Sequence, residues 1–129
     1  MTDTFKKLNY KSQTPILVSN APESFRAEMS AMQEAEIHTK PKKGLTYGFA
    51  LAFAVMKADL VKAARDVKPF TSDDAVLWLA YPKQSSKAFT SDLNRDLCVA
   101  ALAPLGLEPV RQIAIDDDWS ALRYKRTSA

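Results

Sequence analysis

The segment Val76–Asp96, VLWLAYPKQSSKAFTSDLNRD, gathers the side chains in this chain best suited to holding an anion. Lys83 and Lys87 are point charges, Ser85 and Ser86 are hydroxyl donors, and Thr90 or Ser91 can cap a following helix or turn toward a ligand. Arg95 would lie one turn inside that helix. The segment reads as the carboxyl end of a strand meeting a helix start, where unpaired backbone N–H groups and the positive end of a helix dipole favour negative charge. The competing account is a plain turn: Pro82 ends the strand, the serines and lysines are solvated, Ser91 caps, and Asp92 complements the dipole. The absence of a phosphate-loop glycine pattern favours that plainer account, and the Asp92 carboxylate opposes an anion locally.

Catalytic chemistry is thinly supplied elsewhere. His38 is the sole histidine, so any Ser–His or Cys–His pair would have to use it, and it reads as a surface or strand-edge residue. Cys98 is the sole cysteine; it falls in a helical pattern and reads as a small buried hydrophobe. Asp116, Asp117 and Asp118 are consecutive in a short link, so their carboxylates point apart, which makes a hairpin turn a better reading than a metal site. No catalytic residue and no metal site is expected. The loop after the first strand, SNAPESF, is equally uninviting to a dinucleotide or S-adenosylmethionine. Asn20, Ala21 and Pro22 stand where glycines would let the backbone approach a cofactor, and the chain has glycines only at 44, 48 and 106. No cofactor is expected, although Asn20 remains a candidate polar contact at a helix start.

Composition sets the outer bounds. The 129 residues are 47% hydrophobic and 26% charged, which suits one soluble α/β domain able to bury roughly 70% of its unfolded surface. Residues 1–13 are expected to be loosely ordered. A lone cysteine carries no sign of an oxidising compartment, the first residues lack a secretory pattern, and the longest uncharged run, 44–56, is shorter than a membrane span. These observations predict a cytoplasmic protein. The net charge of +3 is mild and interspersed. Lys40, Lys42 and Lys43 with Arg123, Lys125 and Arg126 could form a basic face. The aromatic residues, however, sit mainly in apolar runs, with Phe49, Phe53 and Trp78 reading as core, so nucleic acid is not the expected partner.

The elements that must position these residues follow from hydrophobic patterning. PILVSN (15–20) is a short strand, Pro22 opens a helix over 24–35, and 35–39 is a brief second strand before the polar turn 40–44. The runs 47–56 and 75–81 are almost wholly apolar, as in strands covered on both faces, with a helix over 57–70 between them. A helix over 91–105 ends at Gly106, and strands at 110–115 and 119–126 form an antiparallel hairpin. The fold class predicted is a compact Rossmann-like α/β domain: a mostly parallel sheet, helices on its faces and a C-terminal hairpin that resembles the ending of class I methyltransferase folds.

The strings NAPESF, WLAYPKQSSK, DLNRD and DDWSALRY, in this order, also resemble a bacterial family of domains of unknown function. The likeness spans roughly Phe5 to Arg126 and draws nothing from Met29–Lys43. It implies a stand-alone α/β domain with no established reaction, cofactor or partner to carry over. Asn20, Pro22, Tyr81, Pro82, Lys83, Ser86, Asp92, Trp119 and Ser120 are pattern positions only. The function expected from all of this is a non-enzymatic or regulatory binding module whose strand-end crevice, between the SNAPE and YPKQSSK loops, accepts a small anionic ligand or a protein partner. The alternative is an enzyme of the methyltransferase-like class with an atypical cofactor loop, and a weak nucleic-acid-binding module is third.

Overall fold

A computed structural model describes residues 2–127. Six strands form one sheet in the order β2-β1-β3-β4-β6-β5. The strands are β1 (Ile16–Ser19), β2 (Ile37–His38), β3 (Tyr47–Phe53), β4 (Thr71–Pro82), β5 (Leu107–Ala114) and β6 (Trp119–Arg126). β1 to β4 run parallel, while β6 is antiparallel to β4 and to β5. The expected Rossmann-like class, mostly parallel with an antiparallel terminal hairpin, is what the chain adopts.

β3 shows why. Its sequence is apolar throughout, as a strand buried on both faces requires, yet it alternates in size. Ala50, Ala52 and Ala54 face one side and Phe49, Leu51 and Phe53 the other, all nearly inaccessible to solvent. On the alanine side lie α3 (Lys57–Val67) and α4 (Arg95–Leu102), with Leu60, Ala63, Ala64, Val67 and Leu102 packed over Leu77, Leu79 and Leu122. On the aromatic side a chain of ring contacts runs from Tyr10 through Phe49, Phe5, Phe25 and Phe53 to Trp119 and Phe89, with centroids 4.9–6.2 Å apart.

That aromatic side corrects the expectation of a loose start. α1 (Asp3–Lys7) is capped by the Thr2 hydroxyl, and Phe5, Leu8 and Tyr10 are buried. The Trp78 indole donates to the Leu8 carbonyl at 2.7 Å inside the core. Residues 2–10 therefore cover one face of the sheet; the segment is short because packing rather than helix propensity holds it.

Several element boundaries also move, among them β5, which begins at Leu107 rather than 110, and α3, which gives way to a 3₁₀ turn after Val67. α2 (Arg26–Ala31), entered through a 3₁₀ turn at Glu23–Phe25, stops short of residue 35 because Met32 turns to extended backbone and buries its side chain. β3 ends at Phe53 rather than 56: Ala54 N–H still donates to Ala80, but Met56 is already the residue entering α3. β4 begins at Thr71 rather than 75, since Thr71 pairs with Tyr47 and a register shift absorbs the exposed Asp73 and Asp74. α4 begins at Arg95 rather than 91, as described below. Gly106 ends the last helical turn in the left-handed conformation at φ 75°, where glycine is unstrained.

The connection from β2 to β3 is the unusual part. It must cross β1 to join two parallel strands, a task that normally takes a dozen residues and a helix. Here residues 39–46 do it without one, with Leu45 packed against the α3-side core. Tyr47, fully buried, pins the crossing: its hydroxyl accepts from Lys42 N–H at 3.2 Å and lies 2.6 Å from His38 Nδ1. His38 Nε2, the other ring nitrogen, faces the Glu36 carboxylate at 3.3 Å.

Phe5→Ala is expected to cost about 3–5 kcal/mol, as a large core truncation does. Chemical denaturation measures it; an unchanged midpoint would show that the first residues are not part of the core.

Candidate functional site

The strand order reverses between β1 and β3: the chain steps from β1 outward to β2, then returns past β1 to β3 and on to β4. In open α/β sheets such a switch point leaves a crevice outside the carboxyl ends of the strands. A cleft of about 1020 Å³ lies there. Ser19, Asn20 and Pro22 bring the end of β1 to it, and Phe53, Ala54 and Val55 the end of β3. Thr39, Lys40 and Pro41 form the β2 side; Asp59, Lys62, Ala63, Arg65 and Asp66 are contributed by α3. The helix-free crossover explains its size, because a crossover helix would lie beside α3 where the cleft runs. Phe53, Phe89 and Trp119 wall one end, with Trp119 centred 5.1 Å from Phe53 and 4.9 Å from Phe89. Among the described residues the buried Trp119 indole N–H has no hydrogen-bond partner.

Asn20 takes the left-handed conformation at φ 59°. It makes the tight turn after β1 that glycine makes in nucleotide-binding loops, at a position asparagine tolerates. Pro22 then enters the 3₁₀ turn, so close backbone approach is lost although the turn is kept.

Of the residues named from the sequence as an anion seat, the cleft lining includes Asn20 and none of Lys83, Ser85, Ser86, Lys87, Thr90, Ser91 or Arg95. Their loop is wired to its own chain. The Ser86 hydroxyl donates to Asp118 Oδ1 at 2.8 Å and accepts from Ala88 and Phe89 N–H, while Lys83 N–H donates to the Asp118 carbonyl. The Ser91 hydroxyl bonds the Val55 carbonyl and accepts from Leu93 N–H, so it does not cap α4. Asn94 caps instead, accepting from Leu97 N–H at 2.9 Å. Asp92 reaches across to the first N–H of α3, at Lys57, over 2.8 Å. The chain's own carboxylate thus occupies the position at that helix end where an anion would sit. Lys87, Ser85 and Thr90 are exposed, Lys83 is half-exposed, and Arg95 lies 3.7 Å from Asp96. The cleft meets the SNAPE loop at Ser19, Asn20 and Pro22 but no residue of YPKQSSK; Phe89, two residues past that string, is what the loop after β4 contributes.

The other candidates are accounted for locally. Asp116 Oδ1 accepts from Asp118 and Trp119 N–H, closing the hairpin turn, and no cluster of potential metal ligands occurs among the described residues. Three strands separate the basic residues near β2 from those of β6, where Arg123 bonds Asn9, Lys125 pairs with Glu108, and Arg126 bonds Lys68 and Thr71 carbonyls. Cys98 is on the buried side of α4, and burial pushes its thiol up to about 12. Burial also raises Tyr81 to about 12 and Tyr124 further still. These groups stay neutral and are poor nucleophiles at neutral pH.

The cleft's aromatic wall was not anticipated. Phe89 was its one visible signal: an isolated ring within a polar loop must seat against something or lie in water.

Solved structures place the architecture. The chain overlays 97% of its length on 76% of ribosomal protein L11 methylase from Lactobacillus delbrueckii subsp. bulgaricus, at 10% identity and a TM-score of 0.58. Magnesium protoporphyrin IX methyltransferase from Synechocystis, with bound SAH, matches 87% of this chain over 74% of its own, at 8% identity and a TM-score of 0.58. The fold is shared with Rossmann-like methyltransferases. LepI in complex with SAM matches over 95% of this chain at 9% identity and a TM-score of 0.57, and there the chain spans 38% of the longer protein. No family model matches the sequence, and no curated protein sequence does. No helix among the described residues is long and apolar enough to cross a membrane.

The buried acids set an alkaline limit. In the unfolded chain Cys98 and Tyr81 ionise from their ordinary values of 9.0 and 10.0, whereas the folded chain holds both protons to about 12. The folded state binds more protons in that window, so stability present below pH 9 is lost as pH rises toward 12. Urea midpoints measured between pH 8 and 11 should fall, and fall less steeply in Cys98→Ala; equal slopes would remove the thiol from this account.

Proposed function

We propose that the chain is a non-enzymatic binding module that holds a small ring-bearing molecule in the switch-point cleft, against Phe53, Phe89 and Trp119. The observation that carries this reading is the cleft itself. Its position suits a ligand site, and a volume of about 1020 Å³ is at the upper end for small-molecule pockets. Its end wall is aromatic. The lining holds no histidine or cysteine. Lys62, the lining group with a perturbed acidity, is raised by its bond to Asp66, a helix pair at 2.7 Å that reads as structural. The loss of glycine after β1 argues for a ligand that does not press a pyrophosphate onto the backbone.

A second reading is a methyltransferase with an atypical cofactor loop. The left-handed Asn20 favours it, because the turn that cofactor loops need is kept, and so does the fold shared with proteins solved with SAM or SAH. Methyl transfer can proceed largely by positioning, so the sparse supply of acid–base groups does not oppose it.

Thermal shift with S-adenosylmethionine, nucleotides, phosphate and short oligonucleotides tests both readings, since a ligand of the native state raises Tm by mass action. Phe89→Ala should weaken a cleft ligand about tenfold, as losing one stacking partner does. A ligand indifferent to that change binds elsewhere. A shift confined to S-adenosylmethionine, with methyl transfer to an added acceptor, would replace the binding module with the enzyme.

A further inference from the structure

In dinucleotide-binding folds an acidic residue about 20 residues beyond the first loop, at the end of the second strand, binds ribose hydroxyls. Here Asn20 makes the first turn, and the corresponding place past β2 holds Lys40. His38 is the last paired residue of β2, and two residues further on Lys40 lines the cleft together with Ser19 at the end of β1. Among the described residues no ion pair engages Lys40 or Arg65, whereas Lys62 is paired with Asp66 and Asp59 is the cleft's remaining carboxylate. The lining thus carries three cations and two carboxylates, with unpaired positive charge at Lys40 on the β2 side and at Arg65 on α3, and the rings at the other end.

We propose that the cleft takes a nucleoside monophosphate, its base stacked on the partly exposed Phe89, which the buried Phe53 and Trp119 back, and its phosphate on Lys40, with the Ser19 and Thr39 hydroxyls as neighbouring donors. β2 and β3 are two strand spacings apart, about 10 Å, so the ligand must carry its anion about that far from its ring. A carboxylate past β2 would attract free ribose hydroxyls; an ammonium group there selects phosphate. This proposal rests on the cleft being the binding site, as argued above.

The test is titration of the intact chain with AMP, UMP, adenosine and inorganic phosphate, followed by tryptophan fluorescence and by thermal shift. The monophosphates are expected to bind at least tenfold more tightly than adenosine, with affinity falling as salt rises. Lys40→Ala should bring AMP down to the affinity of adenosine and leave adenosine unchanged, whereas Lys43→Ala, outside the cleft, should change neither. Adenosine binding as tightly as AMP, or AMP indifferent to Lys40→Ala, overturns the phosphate assignment and leaves the cleft reading standing. If none of the four probes nor S-adenosylmethionine binds the folded protein, both fall.

Discussion

The alternation of alanine with phenylalanine and leucine along β3 is the constraint on which the rest depends. A strand buried on both faces must match two different neighbours at once, and size is the variable that remains when polarity is uniform. Alanines at 50, 52 and 54 let α3 settle close to the sheet. Phe49, Leu51 and Phe53 hold a layer of rings on the opposite face, filled by a segment with little regular structure. Interiors are close-packed, so exchanging the two sets would overfill one face and hollow the other.

From this asymmetry the cleft follows. Phe53 is the last ring of β3 on its face and also the first wall of the cleft, so core and site share a side chain. The α3 side stays open above β1 because the crossover from β2 dispenses with a helix and is held by the Tyr47 hydroxyl instead. The loop after β4 closes the third side, tied by Ser91 and Asp92 to the β3–α3 turn and by Ser86 to the hairpin. Ser86 and Ser91, two of the side chains that looked like ligands for an anion, are thereby rivets of the frame, and the ring between them, Phe89, faces the opening.

Much of the architecture was legible in the residues, and the reason is local. Unbroken apolar runs at β3 and β4, the glycine at 106 and three aspartates between two strand-like runs each state their own conformation. What was not legible depends on partners distant in sequence. Phe5, Leu8 and Tyr10 are too few to predict an ordered element, and only Trp78, 70 residues away from Leu8, shows why they are held. Asp92 reads as the opening of its own helix, yet it caps a different one, 35 residues earlier. For the site, a crevice at the strand ends could be expected from topology, although it lies at β1 and β3 and not at β4, and its aromatic lining arises where three separated segments meet.

The hairpin enters the sheet in an order with kinetic meaning. β6, later in the chain than β5, is the strand that pairs with β4, and β5 takes the edge. During synthesis β4 therefore keeps one side unpaired until Trp119–Arg126 has emerged, some 40 residues after its own last residue. Its exposed run of Val76, Leu77, Trp78 and Leu79 is the kind of apolar edge that recruits other chains. Closing it over so long a separation is slow compared with local pairing. The same insertion that makes the finished sheet continuous makes the nascent chain depend on shielding until its final strand arrives.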